Sequence, residues 1–221
     1  MQDQAAELAW RDGSIPVARR FDDPYFSLAG GLAETRHVFL DGNDLPDRFC
    51  DGFQVAELGF GTGLNLLCAE QAFASAVPRG RLRFTSFEAF PMAVEDMSRA
   101  LSAFPELNAG PLLRAISSGE CRIETDRLSF ELILGDARTC LPAWSETADA
   151  WFLDGFSPAK NPEMWEDALM TQVARHTRAG GTFATYTAAG SVRRALQAAG
   201  FEVARRAGFG RKRHMSTGVL R

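Results

Sequence analysis

Residues 57–65 read Glu57-Leu58-Gly59-Phe60-Gly61-Thr62-Gly63-Leu64-Asn65, and this stretch decides how the chain folds. It follows an apolar run, FQVAEL (53–58), and opens a helical pattern over 63–77, so a buried strand turns sharply into a helix. Glycines at alternate positions let the backbone turn tightly and approach a ligand closely. The first turn of the following helix adds N–H groups without partners. A dinucleotide fingerprint, G-x-G-x-x-G, requires glycine at position 64, where this chain has Leu64. The spacing is instead G-x-G-x-G, with an acid, Glu57, two residues ahead of the first glycine.

Outward from this loop, short apolar runs alternate with helical patterns. Strands are expected at 53–58, 81–88, 130–136, 149–154, 181–187, 201–208 and 215–221, and helices at 63–77, 92–103, 163–178 and 190–199. Such alternation predicts an α/β, Rossmann-like sheet, mostly parallel, with helices on both faces. The last two strands are separated only by a loop around GFGRKRH, so the final strand is expected to be antiparallel. Two segments stand outside the alternation. Residues 1–52 predict an N-terminal extension: a hairpin about RDGS (11–14), then FDDPYFS and a helix-like GLAETRHVFLDG, acting as a lid or edge cover. Between 90 and 135 an insertion is expected, a helix followed by a hairpin flanking Arg127. The whole, 1–221, reads as a single domain with its core at 53–221.

A chain of 221 residues, 46% hydrophobic, can bury one substantial core. A net charge of −4 argues against a wholesale polyanion-coating role. Four scattered cysteines form no C-x-x-C pair, so no metal site is expected and a reducing cytoplasm fits. No leader-like start appears, and no run of about 18 apolar residues, so no membrane association is expected.

Two further acids point to a nucleoside. Glu88 ends the second strand of the alternation, where a carboxylate can accept hydrogen bonds from both ribose hydroxyls. Asp136 ends the next long strand and could take the exocyclic amine of adenine, with Ala137 leaving room for the ring. Open α/β sheets bind ligands at these carboxyl ends. Either acid alone could simply cap a helix, but the ordered set favours a cofactor. The loop itself resembles the S-adenosylmethionine (SAM) loop of class I methyltransferases. That resemblance implies a cofactor site made of Glu57, Gly59, Gly61, Gly63, Leu64 and Asn65, with Glu88, Asp136 and Ala137.

Taken with FLDGFSPAKNPEMW (152–165), GGTFATYTAAGSVRRALQAAGF, GFGRKRHM and the N-terminal FDDPYFS, the loop places the chain close to one family. The sequence resembles the MnmC methyltransferase family, the tRNA 5-aminomethyl-2-thiouridine methyltransferases, over nearly its whole length. The resemblance implies transfer of methyl from SAM to the amine of 5-aminomethyl-(2-thio)uridine at the wobble position in the anticodon of tRNA. In the bifunctional members a flavin-dependent oxidoreductase domain follows. This sequence ends at Arg221, so within it no FAD is expected; it reads as either a stand-alone methyltransferase or an excised domain of a bifunctional protein, with another enzyme expected to supply the aminomethyl substrate.

Asp154 ends an apolar run, AWFL, on a carboxylate. Beside a methyl donor it is the expected catalytic residue, which would attract and orient an ammonium and either take its proton, directly or through water, or only position the amine, since an aspartate of ordinary pKa, about 3.9, is a poor base. Phe156 either stacks on uracil or packs in the core; Lys160 either meets a phosphate or is a solvated loop lysine, one of only two lysines beside 22 arginines. Trp165 reads as core. Tyr25 and Phe26 either close over the acceptor base or serve as packing. His37, His176 and His214 show no ligand spacing. From 193 to 213, Arg193, Arg194, Arg205, Arg206, Arg211, Lys212 and Arg213 face a single acid, Glu202. Arg211, Lys212 and Arg213 are the expected tRNA-docking set. The alternatives are an aminopropyltransferase or other small-amine methyltransferase, a nicotinamide dehydrogenase, which Leu64 disfavours, and a non-catalytic RNA-binding scaffold.

Overall fold

The computed structural model describes residues 5–27 and 30–221. Its centre is an eight-stranded sheet. Strand β1 (Leu8–Arg11), β2 (Ile15–Ala18) and β3 (Asp23–Pro24) form a small antiparallel sheet apart from it. Helix α1 (Gly31–Thr35) continues through a π-helical turn, Arg36–Leu40, and a 3₁₀ turn, Asp41–Asn43. The main alternation then runs β4 (Gln54–Leu58), α2 (Leu64–Ala76), β5 (Leu82–Glu88), α3 (Val94–Leu101), α4 (Gly110–Ser117), β6 (Arg122–Glu124), β7 (Leu128–Leu134) and α5 (Ala137–Cys140). It closes with β8 (Ala148–Leu153), α6 (Asp167–Arg175), β9 (Thr177–Thr185), α7 (Gly190–Ala198), β10 (Phe201–Ala207) and β11 (His214–Leu220).

The strand order is β10-β11-β9-β8-β4-β5-β7-β6. From β4 the chain moves outward through β5 to β7, then returns to lay β8 on the other side of β4. The order therefore reverses at β4, and the loops after β4 and β8 part to open a crevice there. Strand β11 slots between β9 and β10 and runs against both, so the expected antiparallel last strand lies inside the sheet rather than on its edge.

Three expectations need correction. The insertion holds two helices: α4 begins Gly110-Pro111, which reads as a loop, yet proline is tolerated in a first helical turn because that N–H has no partner anyway. The single helix expected at 163–178 is a 3₁₀ turn, Pro162–Trp165, and then α6, because Glu166 is extended between them; β9 consequently starts at Thr177. Finally, the N-terminal extension is more than a cover. Val38, Phe39 and Leu40 are 0%, 3% and 5% exposed and share one core with α2, α3 and β7, where each buried side chain contributes roughly 1.5–3 kcal/mol. A second core, under α6 and α7, gathers Trp144, Trp151, Leu169 and Val192, and Trp165 packs there as expected. Among the described residues, no helix is long and apolar enough to cross a membrane.

Candidate active site

The crevice is a cavity of about 1310 Å³ at the carboxyl ends of the parallel strands, walled by the loop 59–62, the ends of β5, β7 and β8, and the N-terminal segment. Its shape depends on glycine. Gly59 has φ +94°, and a Cβ there would lie 2.5 Å from the Asp154 carbonyl oxygen, so only glycine lets the ends of β4 and β8 touch. Gly61, at φ +55°, passes the Tyr25 ring, which a Cβ would meet at 3.0 Å. Gly63, also left-handed, starts α2 without a side-chain cap, and Leu64 and Asn65 form its first turn.

A buried polar network underlies this loop. Asn65 Nδ2 donates to Glu57 Oε1 at 2.8 Å and to Asp154 Oδ2 at 2.7 Å. Thr35 Oγ1 donates to Asn65 Oδ1 at 3.1 Å, and Ser86 Oγ donates to Glu57 Oε2 at 2.7 Å. Glu57 is fully buried and does not line the cavity, so its expected cofactor contact becomes a supporting one: it fixes Asn65, which fixes Asp154. Burial pushes the Glu57 carboxyl well above the usual carboxylate range. Burial likewise raises Asp154, to about 7; the Asn65 hydrogen bond and the Lys212 charge oppose the rise, while the Glu34 and Asp23 charges add to it.

On the cofactor side, the Glu88 carboxylate accepts from Gly61 N at 3.0 Å and Phe90 N at 2.7 Å, and it borders the cavity. It thus ties the glycine loop to β5 at the edge of the cavity. Burial raises its carboxyl, and backbone hydrogen bonds hold the rise down. Asp136 caps α5 through Arg138 N at 2.9 Å and pairs with the Arg138 guanidinium, which lowers its carboxyl; Ala137, 4% exposed, floors the cavity beside it. A glycine cradle that Cβ atoms would fill, an uncapped helix start and two carboxylates on successive strand ends fit SAM.

The acceptor side contains residues that sequence spacing does not reveal. Phe156 lies against Phe21, centroids 4.7 Å apart and planes 27° apart, and meets Tyr25 edge-on at 5.1 Å. One face of Phe156 is therefore taken by Phe21. Phe26 packs on Phe104 at 5.2 Å, although it reaches the cavity wall. Lys160 is tied down: its ammonium donates to the Asp22 carbonyl and lies 3.4 Å from Asp22 Oδ2 and 3.8 Å from Asp23 Oδ1, so it fastens the 155–161 loop to the N-terminal segment. Tyr186 donates its hydroxyl to the Gly155 carbonyl at 2.8 Å. The basic run divides. Arg211 and Lys212 border the cavity, Lys212 paired with Glu34, whereas Arg213 faces a separate hollow with Arg205, Arg206 and His214. Phe21 and Tyr186 lie in runs that carry the family resemblance, but nothing in their spacing, or in that of Glu34, assigns them to the site; only folding brings the three to the end of β8.

A mostly parallel sheet with a reversed strand, β11, set between β9 and β10, a glycine loop ending its central strand and acids ending the next two strands define a class I SAM-dependent methyltransferase. The chain belongs to the S-adenosyl-L-methionine-dependent methyltransferase family whose model matches residues 106–221. It is similar to the tRNA 5-methylaminomethyl-2-thiouridine biosynthesis bifunctional protein MnmC of Ectopseudomonas mendocina (strain ymp), 50% identical over 227 residues, covering 96% of this chain and 34% of that protein. The protein of the same name from Stutzerimonas stutzeri (strain A1501) is 47% identical over 230 residues, covering 98% and 35%. The chain thus spans about a third of the length of these curated relatives. Among solved structures, MNMC2 from Aquifex aeolicus superposes with a TM-score of 0.77 at 28% identity, covering 100% of this chain and 72% of that one. A SAM-dependent methyltransferase is an enzyme with SAM as its methyl donor, which removes the dehydrogenase and scaffold alternatives.

Proposed function

We propose that the chain methylates the primary amine of 5-aminomethyl-(2-thio)uridine at the wobble position of tRNA, giving 5-methylaminomethyl-(2-thio)uridine. Relatives named for the biosynthesis of that nucleoside match nearly all of this chain and support the substrate. The observation that carries the chemistry is Asp154, a half-buried carboxyl just past the end of β8 that borders the cavity, held by Asn65 and raised to about 7.

When bound, SAM supplies an electrophilic methyl on a sulfonium sulfur that leaves with the bonding pair. The chain's task is to deliver a neutral amine. A primary alkylamine has a pKa of about 10.4, so at neutral pH it arrives as ammonium without a lone pair. An ordinary aspartate would face a gap of about 6.5 units in taking its proton; Asp154, at about 7, faces a gap of about 3. Its charge draws the ammonium in, and the Asn65 bond fixes the direction in which the amine is held. Lys160 and Asp23 hold the acceptor loop closed on the N-terminal segment.

Docking is read as engaging the anticodon region through the exposed Arg205, Arg211 and Arg213, with the aminomethyl group supplied by another enzyme activity. Residues 1–52 serve as an extension to a core at 53–221 within one domain, and four free cysteines suit a reducing cytoplasm. The test is incubation with labelled SAM and tRNA carrying 5-aminomethyl-(2-thio)uridine, followed by nucleoside analysis. Label in the methylaminomethyl nucleoside is expected; label in another nucleoside, or none, rejects the assignment.

A further inference from the structure

Lys212, in the loop between β10 and β11, lines the cavity. Its Nζ donates to Glu34 Oε1 at 2.7 Å and lies 4.2 Å from the centroid of the Tyr186 ring. Glu34, on α1, has a side chain only 12% exposed, a poor setting for a carboxylate without a cation. The charges of both Glu34 and Lys212 are felt at Asp154. The Tyr186 ring is fixed by its hydroxyl bond to Gly155, the residue after Asp154. A carboxylate, an aromatic face and a second carboxylate nearby form the recognition set for a primary alkylammonium. Lys212 is itself such a group, a CH₂–NH₃⁺, in a chain whose other basic residues, Lys160 apart, are all arginines.

We propose that Glu34, the face of Tyr186 and Asp154 form the seat of the acceptor's ammonium, and that Lys212 fills this seat until the acceptor displaces it. The proposal rests on the reading of the acceptor as a primary amine. Glu34 and Tyr186 are then positioning residues that select a charged amine over a neutral group of equal size. Displacement is cheap on the Lys212 side: its side chain is already 46% exposed, and the phosphates of a docked polyanion offer it another partner. A seat occupied by its own plug binds a ligand with an apparent affinity lowered in proportion to the vacant fraction.

The test uses SAM-saturated protein and two nucleosides, 5-aminomethyluridine and its neutral counterpart 5-hydroxymethyluridine, titrated by calorimetry. Lys212→Met is expected to bind the aminomethyl nucleoside about fivefold or more tighter than the parent, and Glu34→Gln about tenfold weaker. Binding of the hydroxymethyl nucleoside should not weaken in Glu34→Gln, whereas in Lys212→Met it can only gain from the vacated seat. Lys212→Gln serves as a second vacated seat with the same expectation, and melting curves confirm that each variant is folded. Unchanged or weaker aminomethyl binding in folded Lys212→Met and Lys212→Gln overturns the proposal, as does an equal loss for both nucleosides in Glu34→Gln. Methyl transfer to tRNA is scored separately: discrimination between the nucleosides without transfer to 5-aminomethyluridine tRNA sinks the tRNA assignment and leaves the seat standing.

Discussion

Asp154 serves two demands that conflict, and its environment shows which one prevails. Its carboxyl, at about 7, lies well above the value of about 3.9 for an unfolded chain. Between about pH 4 and about pH 7 the native state holds a proton that the unfolded chain has released. Stability contributed by this group is therefore full below about pH 4, falls as pH rises through about 7, and is level above. Asp154→Asn keeps the Asn65 hydrogen bond and never ionises. It is expected to be more stable than the parent at pH 8, by on the order of 1–3 kcal/mol, with the difference shrinking steadily as pH falls toward about 4; a difference independent of pH would show that Asp154 is not desolvated. Catalysis runs the opposite way. The parent's kcat/KM should rise through about pH 7 as the carboxylate forms, while Asp154→Asn should lose at least about tenfold in methyl transfer with SAM affinity nearly intact. A near-normal single-turnover rate in that variant would remove the proton-acceptor role. Glu88 belongs to the same scale: Glu88→Ala should weaken SAM binding by about ten- to a hundredfold, roughly 1.5–3 kcal/mol, since it removes both the hydroxyl acceptor and the tie to Gly61. Calorimetry showing parental affinity in a folded variant would take Glu88 out of the site.

At the scale of elements, the site is a junction at which α1, α2, β4, β5 and β8 each supply one polar group. Asn65 is the hub, joining Thr35, Glu57 and Asp154, and Thr35 and Glu57 are too deeply buried for water to replace it there. Asn65→Leu removes donors from two carboxyls at once. The expected loss is about 2–5 kcal/mol, with residual activity reduced more than SAM affinity because Asp154 loses its aim while Glu88 keeps the glycine loop. Wild-type melting in Asn65→Leu would show that the network contributes nothing. Little of this network is legible in the sequence. The loop and its acids announce themselves because glycine spacing and strand ends are local properties. Asn65 reads only as part of the loop, and Thr35 and Ser86 read as nothing, since a hydrogen bond between residues thirty positions apart leaves no trace in spacing. For the same reason the sequence points Glu57 at the ligand: its place before the glycines is visible, but the direction of its side chain is not. Helices α4 and α5 leave no signature because one opens on Gly-Pro and the other spans only Ala137–Cys140, too short for a periodic pattern.

For the whole molecule, the net charge of −4 conceals a basic flank. Arg205, Arg211 and Arg213 are exposed on the β10–β11 side, whereas Arg206 is paired with Asp44 and Lys212 with Glu34. Docking of tRNA there predicts that replacing Arg205, Arg211 and Arg213 by Ala weakens tRNA binding and flattens its salt dependence by roughly 0.7–0.9 log units per log unit of salt for each phosphate no longer neutralised, with SAM affinity unchanged. An unaltered salt slope in a stable variant would move the RNA surface elsewhere. The sequence by itself determined the class of fold, the strand on which the cofactor loop sits and the acid at the end of β8, because alternation, glycine spacing and the meeting of an apolar run with a carboxylate are all written within a few residues of each other. Only the tertiary structure decided what each polar group does there. Glu57 turns inward, Lys160 binds the N-terminal segment, Lys212 pairs with Glu34 at the cavity wall, and Glu34 and Tyr186 come within electrostatic reach of Asp154 from distant parts of the chain. Charge and hydrogen bonding act through space, and a residue's neighbours in space are fixed by packing between elements rather than by its neighbours along the chain.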